Sequence, residues 1–233
     1  MEDLKDLRAR LDQTDERIVG RLKDRSRFPL NSQIYKRGAI PIRGKRDVSL
    51  LQFAIEGMER YHASLGRYEY KDQQPLLRSP GTRSSVKRSH TDSGISAERI
   101  DLFDDLVGFY TGILPRLCRK GNDPRTYGES AYIDADILEL IHERINTVGR
   151  YVAESKLSAD PEALKRARTG TDAAALKKRL RDPRREESVI RGARAMAKRY
   201  GLNGDTAARV FAWLIDKTLE VEVEYLTNSL RML

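Results

Sequence analysis

Arg8 stands one helical turn from Leu4 and Leu11, Arg144 follows Ile137 and Ile141, and Glu186 precedes Val189 and Ile190. Thr218 and Glu222 continue a stripe begun by Val210, Phe211, Leu214 and Ile215. Each lies on the side of a helix that apolar spacing marks for burial. A buried charge is costly unless it is paired or functional. One at a time, the ordinary explanations are the better ones: an arginine at a core boundary whose head reaches water, an Asp182 that only caps a helix, a Glu186 favoured by the dipole of a first turn. Together with Lys156 they bring three cations, two carboxylates and a hydroxyl into one helical interior. That set suits a dianion that also carries hydroxyl groups.

The sequence has no Gly-rich phosphate loop, no His pair at metal-ligand spacing among His62, His90 and His142, and no Ser/His/Asp set. Covalent and metal mechanisms are disfavoured, and neither metal nor cofactor is expected. A reaction that needs only positioning and electrostatic complementarity fits this inventory.

The elements that must position these groups are helices. Leu4, Leu7, Leu11, Ile18, Val19 and Leu22 recur at three- and four-residue steps, predicting a helix over 4–26 that ends before Pro29. Residues 28–45, with Pro29, Asn31, Gly38, Pro41 and Gly44, read as a structured loop, and helix resumes from Ser49 to Leu65. Residues 72–97 are the most loop-like stretch, and part of it is expected to be mobile. A helix follows from Ile100 to Cys118, then a turn at Gly121-Asn122-Asp123-Pro124 and a long helix from Tyr132 to Leu157. Asp160-Pro161 and Asp182-Pro183 each announce a short helix, Asp capping and Pro fitting the first turn. Gly201 stops the second, and a last helix runs from Asp205 towards Leu230. Leu219 to Tyr225 alternates like a strand, but the helical stripe leading into it decides for helix. The expectation is an all-α multi-helix bundle, a single domain over 1–233 with a loop insertion at 72–98.

Composition agrees: 39% hydrophobic and 34% charged residues describe a globular chain, and no apolar run is long enough to cross a membrane. The charged N-terminus does not read as a signal peptide, and the single cysteine, Cys118, excludes an internal disulfide, so the cytoplasm is the expected compartment. The net charge of +9 permits either a nucleic-acid surface or a site that collects a small anion. The densest basic stretch, Lys177-Lys178-Arg179-Leu180-Arg181, is short and free of aromatics, and reads as a solvated face with nucleic acid the minority option.

At these residues the chain resembles the all-helical chorismate mutases. Leu7-Arg8 with Asp15, Ile18 and Arg25 is similar to their first helix, and Phe28-Pro29-Leu30-Asn31-Ser32 followed by Tyr35 to the loop after it. Stretches similar to the fungal and plant branch follow in the same order: His62 to Tyr68, Tyr127-Gly128 with Ala131, Gly149 to Lys156, and Glu220 to Leu226. The resemblance implies a cofactor-free rearrangement of chorismate to prephenate, carried out by a homodimer with no membrane or nucleic-acid partner. By motif, Arg8, Arg144 and Lys156 would bind the two substrate carboxylates, with Lys156 also facing the ether oxygen. Asp182 and Glu186 would hold the ring hydroxyl, Arg185 would help to orient them, and Thr218 and Glu222 would complete the pocket, Glu222 donating from a protonated carboxyl. Two rivals stand beside this reading: a mutase for amino-substituted chorismate, and a catalytically inactive helical regulator or nucleic-acid-binding protein.

Two departures from the family pattern carry consequences. Glu129 replaces a small polar residue in a loop that resembles part of a site where tyrosine and tryptophan act in relatives. The interval from Arg144 to Lys156 is one residue longer than in the family. A regular helix would then turn the two side chains apart, so an irregular, π-bulged turn is expected between Asn146 and Tyr151, close to Gly149. With a regular helix, Arg150 or Arg185 would have to substitute for Arg144.

Overall fold

The computed structural model describes residues 4–77, 81–89, 93–96, 99–162 and 173–229. Its main elements are α1 (Leu4–Ser26), α2 (Leu50–Ser64), α3 (Phe103–Ile113), α4 (Tyr127–His142), a π-helical segment (Glu143–Val148), α5 (Gly149–Ala159), α6 (Ala173–Leu180), α7 (Pro183–Arg199) and α8 (Gly204–Ser229). The only extended pairing among the described residues is an isolated bridge between Ile42 and Lys45. The class is all-α.

Local chemistry sets the ends of these helices. Ser49 caps α2 by accepting from the Gln52 amide at 3.1 Å, and Asp182 caps α7 by accepting from the Arg185 amide at 3.1 Å, with Pro183 in the first turn. Gly201, at φ 74°, closes α7 in the left-handed conformation, and the Leu202 amide returns to the Ala197 carbonyl at 2.9 Å. Asn203 then caps α8 through the amides of Asp205 and Thr206.

Helix α8 is the spine. It packs on α7, α5, α6 and the π segment, while α1 lies along α4 and α7, and α2 lies on α4. Ile18, Val19, Ile137, Leu138, Ile145, Phe211 and Leu214 are fully buried between these layers. Burying each such side chain contributes roughly 1.5–3 kcal/mol. The strand-like alternation from Leu219 to Tyr225 is helical because α8 is covered over a wide arc: Leu219, Val221, Glu222 and Tyr225 are buried and only Glu220 and Glu224 face out.

Several boundaries differ from the expectation. The long helix starts at Tyr127, ahead of Tyr132, because Asp123 caps a 3-10 turn that leads directly into α4. Glu129 therefore sits exposed in a first helical turn, where the dipole favours an acid, and not in a loop. The helix after Asp182 is not short but spans 17 residues. After Asp160, only Pro161 and Glu162 of the other expected helix are described. Within 72–97, Leu76 and Ile95 are buried in the core, so their part of the stretch is pinned; residues 78–80, 90–92 and 97–98 lie outside the described residues. Arg150 donates to the carbonyls of Asp72 and Ser96 at 2.8 and 2.9 Å, and Glu59 and Arg99 hold the backbone around Leu76.

A buried polar hub ties α1 to the loop after it. Arg25, with no exposed surface, pairs with Asp134 at 2.7 Å and donates to the carbonyls of Pro29 and Leu30. Tyr35 and Tyr110 donate to the same Asp134 carboxylate. Every strong acceptor there is met, the condition under which a buried charge is tolerated.

Candidate active site

All eight residues expected at the site, Arg8, Arg144, Lys156, Asp182, Arg185, Glu186, Thr218 and Glu222, line one cavity between α1, the π segment, α5, α7 and α8. Leu11, Val152, Val189 and Ile215 supply its apolar wall. Its volume is about 110 Å³, several times what one water needs.

At one end, Lys156 Nζ bonds Glu222 Oε2 at 2.7 Å and the Leu180 carbonyl at 2.8 Å. An ammonium has three donors, so one is left for a ligand. Glu222 is fully enclosed, and that burial pushes its carboxyl above the ordinary range; Lys156 pulls it back and Glu186 adds to the push. A carboxyl displaced in this direction keeps its proton to higher pH.

At the other end, Arg144 is buried and donates from Nε to Asp15 Oδ1 at 2.5 Å and from Nη1 to Thr218 Oγ1 at 3.3 Å. Burial raises the Asp15 carboxyl above its usual value, with Arg144 opposing. Asp15, named from the sequence only among the similarities of the first helix, is the acid that holds Arg144. It stands seven residues after Arg8 (15 − 8 = 7), two helical turns along the same face, and that spacing was the available signal.

The first turn of α7 forms a third corner. Arg8 Nη2 lies 3.4 Å from Asp182 Oδ2 at the solvent edge. Arg185 reaches back to Asp12 on α1. Glu186 accepts from Arg181 Nη1 at 3.0 Å.

The irregular turn that brings Arg144 and Lys156 to one cavity is the π segment Glu143–Val148, one turn earlier than expected. Gly149 is regular helix; its missing side chain serves packing, since a Cβ there would meet Thr218 Cγ2 at 3.2 Å. Arg144 and Arg185 both line the cavity, whereas Arg150 does not and instead bonds the carbonyls of Asp72 and Ser96. The basic stretch of α6 is also not simply a solvated face. Leu176 and Leu180 are buried, Lys177 pairs with Asp216 and Glu220 at 3.0 and 3.1 Å, and Arg181 pairs with Asp216 at 2.5 Å. Among the described residues no cluster of three His, Cys, Asp or Glu could hold a metal ion, and no helix is long and apolar enough to cross a membrane.

Known proteins resemble the chain over most of its length. The family model for chorismate mutase type II matches residues 126–223. The chorismate mutase of Schizosaccharomyces pombe is 25% identical over 243 residues, covering 97% of this chain and 96% of that protein. The solved chloroplast chorismate mutase of Zea mays superposes with a TM-score of 0.89 at 26% identity, over 98% of this chain and 96% of its own. Aro7p chorismate mutase of Candida albicans, solved in complex with L-Trp, shares the fold with a TM-score of 0.92 at 22% identity, over 98% and 92% of the two chains.

Proposed function

We propose that the chain is one of the all-helical, eukaryotic-type chorismate mutases, which it resembles over nearly its whole length, and that it rearranges chorismate to prephenate in the cavity between α1, α5, α7 and α8. The observation that carries the assignment is the convergence of Arg8, Arg144, Lys156 and Glu222 on one enclosure from three helices and the π segment.

In the rearrangement the ether C–O bond breaks while a C–C bond forms in a compact, chair-like state, and negative charge grows on the ether oxygen. Arg8 and Arg144 bind the two carboxylates and hold the reacting ends together. Asp182 and Glu186 flank the ring hydroxyl, which has one proton and donates it to the open Oε1 of Glu186. The free donor of Lys156 and the proton on Glu222 meet the ether oxygen, where they favour the transition state over the ground state. The protein already holds them in place, Lys156 on the Leu180 carbonyl and Glu222 in full burial, so little reorganisation remains.

A single-domain homodimer is the proposed form. Phe53 and Tyr61 on α2 and Leu65 at its C-cap leave large apolar groups in solvent, a surface that a second copy would cover. A cytoplasmic setting is proposed on the one buried thiol, which asks for no oxidising compartment. The nucleic-acid reading is disfavoured because Lys177 and Arg181 are committed to α8 acids. The test is to mix the purified protein with chorismate and follow loss of its diene absorbance with formation of prephenate. A salt-dependent shift with nucleic acid and no turnover would support the rival reading instead.

A further inference from the structure

The two oxygens of the Glu186 carboxylate are in different states. Oε2 accepts from Arg181 Nη1 at 3.0 Å, whereas Oε1 is buried at the cavity and has no protein partner. Arg181 is held from its far side, with Nη2 on Asp216 Oδ1 at 2.5 Å, and Asp216 also takes Lys177 Nζ at 3.0 Å. A chain of charges thus runs from α8 through the residue that joins α6 to α7 and ends on one oxygen of Glu186.

Arg181 and Asp216 are 38% and 45% exposed, and ion pairs so exposed contribute little to stability. The consequence of the chain is orientation. One oxygen of Glu186 is held by a single Nη1 hydrogen bond from a guanidinium anchored on Asp216, and the other is left open as an acceptor. The charge balance at this corner points the same way. Glu186 has Arg181 at 3.0 Å, so the acid with the open oxygen already has a cation, and Asp182 lies 3.4 Å from one nitrogen of Arg8, whose other donors remain for a substrate carboxylate. A neutral hydroxyl needs only an open acceptor. An ammonium would lose its hydration and find no anion without a partner.

Resting on the assignment of the cavity above, we propose that Arg181 is a positioning residue that fixes Glu186 and makes the cavity select a ring hydroxyl over a ring ammonium. The basic stretch of α6 then has a task inside the site: its last carbonyl, Leu180 O, holds Lys156, and its next side chain holds Glu186.

The experiment is steady-state kinetics with chorismate and with its analogue carrying an amino group in place of the ring hydroxyl, on the wild type, Arg181→Met and Arg181→Lys. Loss of one charge-assisted hydrogen bond predicts that Arg181→Met raises KM for chorismate about tenfold, with a smaller change in kcat. It should also move the ratio of kcat/KM values towards the amino substrate by about tenfold. Arg181→Lys should recover most of both effects, and the thermal midpoints should stay close together because the pairs are exposed. If Arg181→Met leaves KM and the substrate ratio within about threefold of an active wild type, the proposal is overturned while the cavity assignment stands. A wild type that turns over neither substrate would overturn both.

Discussion

Arg144 and Lys156 stand twelve residues apart (156 − 144) in one unbroken helical run, yet both line the same cavity. A regular α-helix would place them about 120° apart around its axis. The π segment Glu143–Val148 absorbs one residue and brings them to within about 20° of a common face. Inserting one alanine after Thr147 should turn Lys156 away by about 100° and lower kcat/KM by roughly a hundredfold or more, with helical circular dichroism retained. Deleting Thr147 should convert the segment to regular helix and keep turnover within about tenfold of wild type. Equal damage from insertion and deletion would show that the π turn does not serve this register.

Glu222 sets a pH limb. Its carboxyl is raised by burial and donates to the ether oxygen only while protonated. Activity should therefore be highest at pH below the Glu222 pKa and fall as pH rises through it. Glu222→Gln, which donates at every pH, should flatten that limb. A mutant profile that superposes on the wild type would remove Glu222 from the role.

Asp15→Ala should leave Arg144 with Thr218 as its remaining side-chain hydrogen-bond partner near the cavity. Loss of the buried partner should cost roughly 1–3 kcal/mol of stability by denaturant titration. With the arginine no longer aimed, kcat/KM should fall by about tenfold or more. An unaltered kcat/KM would mean that Arg144 needs no orienting partner.

A second group of acids, away from the cavity, governs stability. Glu59, on α2, accepts from the amides of Leu76 and Leu77, and burial together with the Glu139 carboxylate on α4 pushes it up to about 9. The folded chain thus holds a proton that the unfolded chain releases near pH 4.5, the ordinary value of such a carboxyl. A folded-state pKa above the unfolded one makes stability fall as pH rises across that window, from about 4.5 towards 9. Glu139→Gln should flatten this slope in thermal melts taken between those limits, and an unchanged slope would show that the two carboxyls do not share a proton.

Much of this was legible in the sequence for physical reasons. The apolar period of α1 and α8, the Asp182-Pro183 start of α7 and the Gly201 stop are local signals, and the structure obeys them closely. The site showed itself as charges placed on stripes that should be apolar, and the extra residue between Arg144 and Lys156 announced an irregular turn. What escaped was set by tertiary contact. The π segment ends at Val148, directly before Gly149, which is itself regular helix and leaves room for the close approach of Thr218. The Leu180 carbonyl carries no side-chain signal at all. Asp15 and Arg181 look like ordinary surface charges until Arg144 and Glu186 are seen beside them.

The claim on which the rest depends is that Lys156 stabilises charge growing on the ether oxygen, and the turnover number of Lys156→Ala on chorismate tests it most directly. With the fold intact by circular dichroism, the account predicts a kcat lower by about a hundredfold or more, the loss expected when one oxyanion donor is removed. A kcat within about threefold of wild type would contradict it and move the reaction away from this cavity.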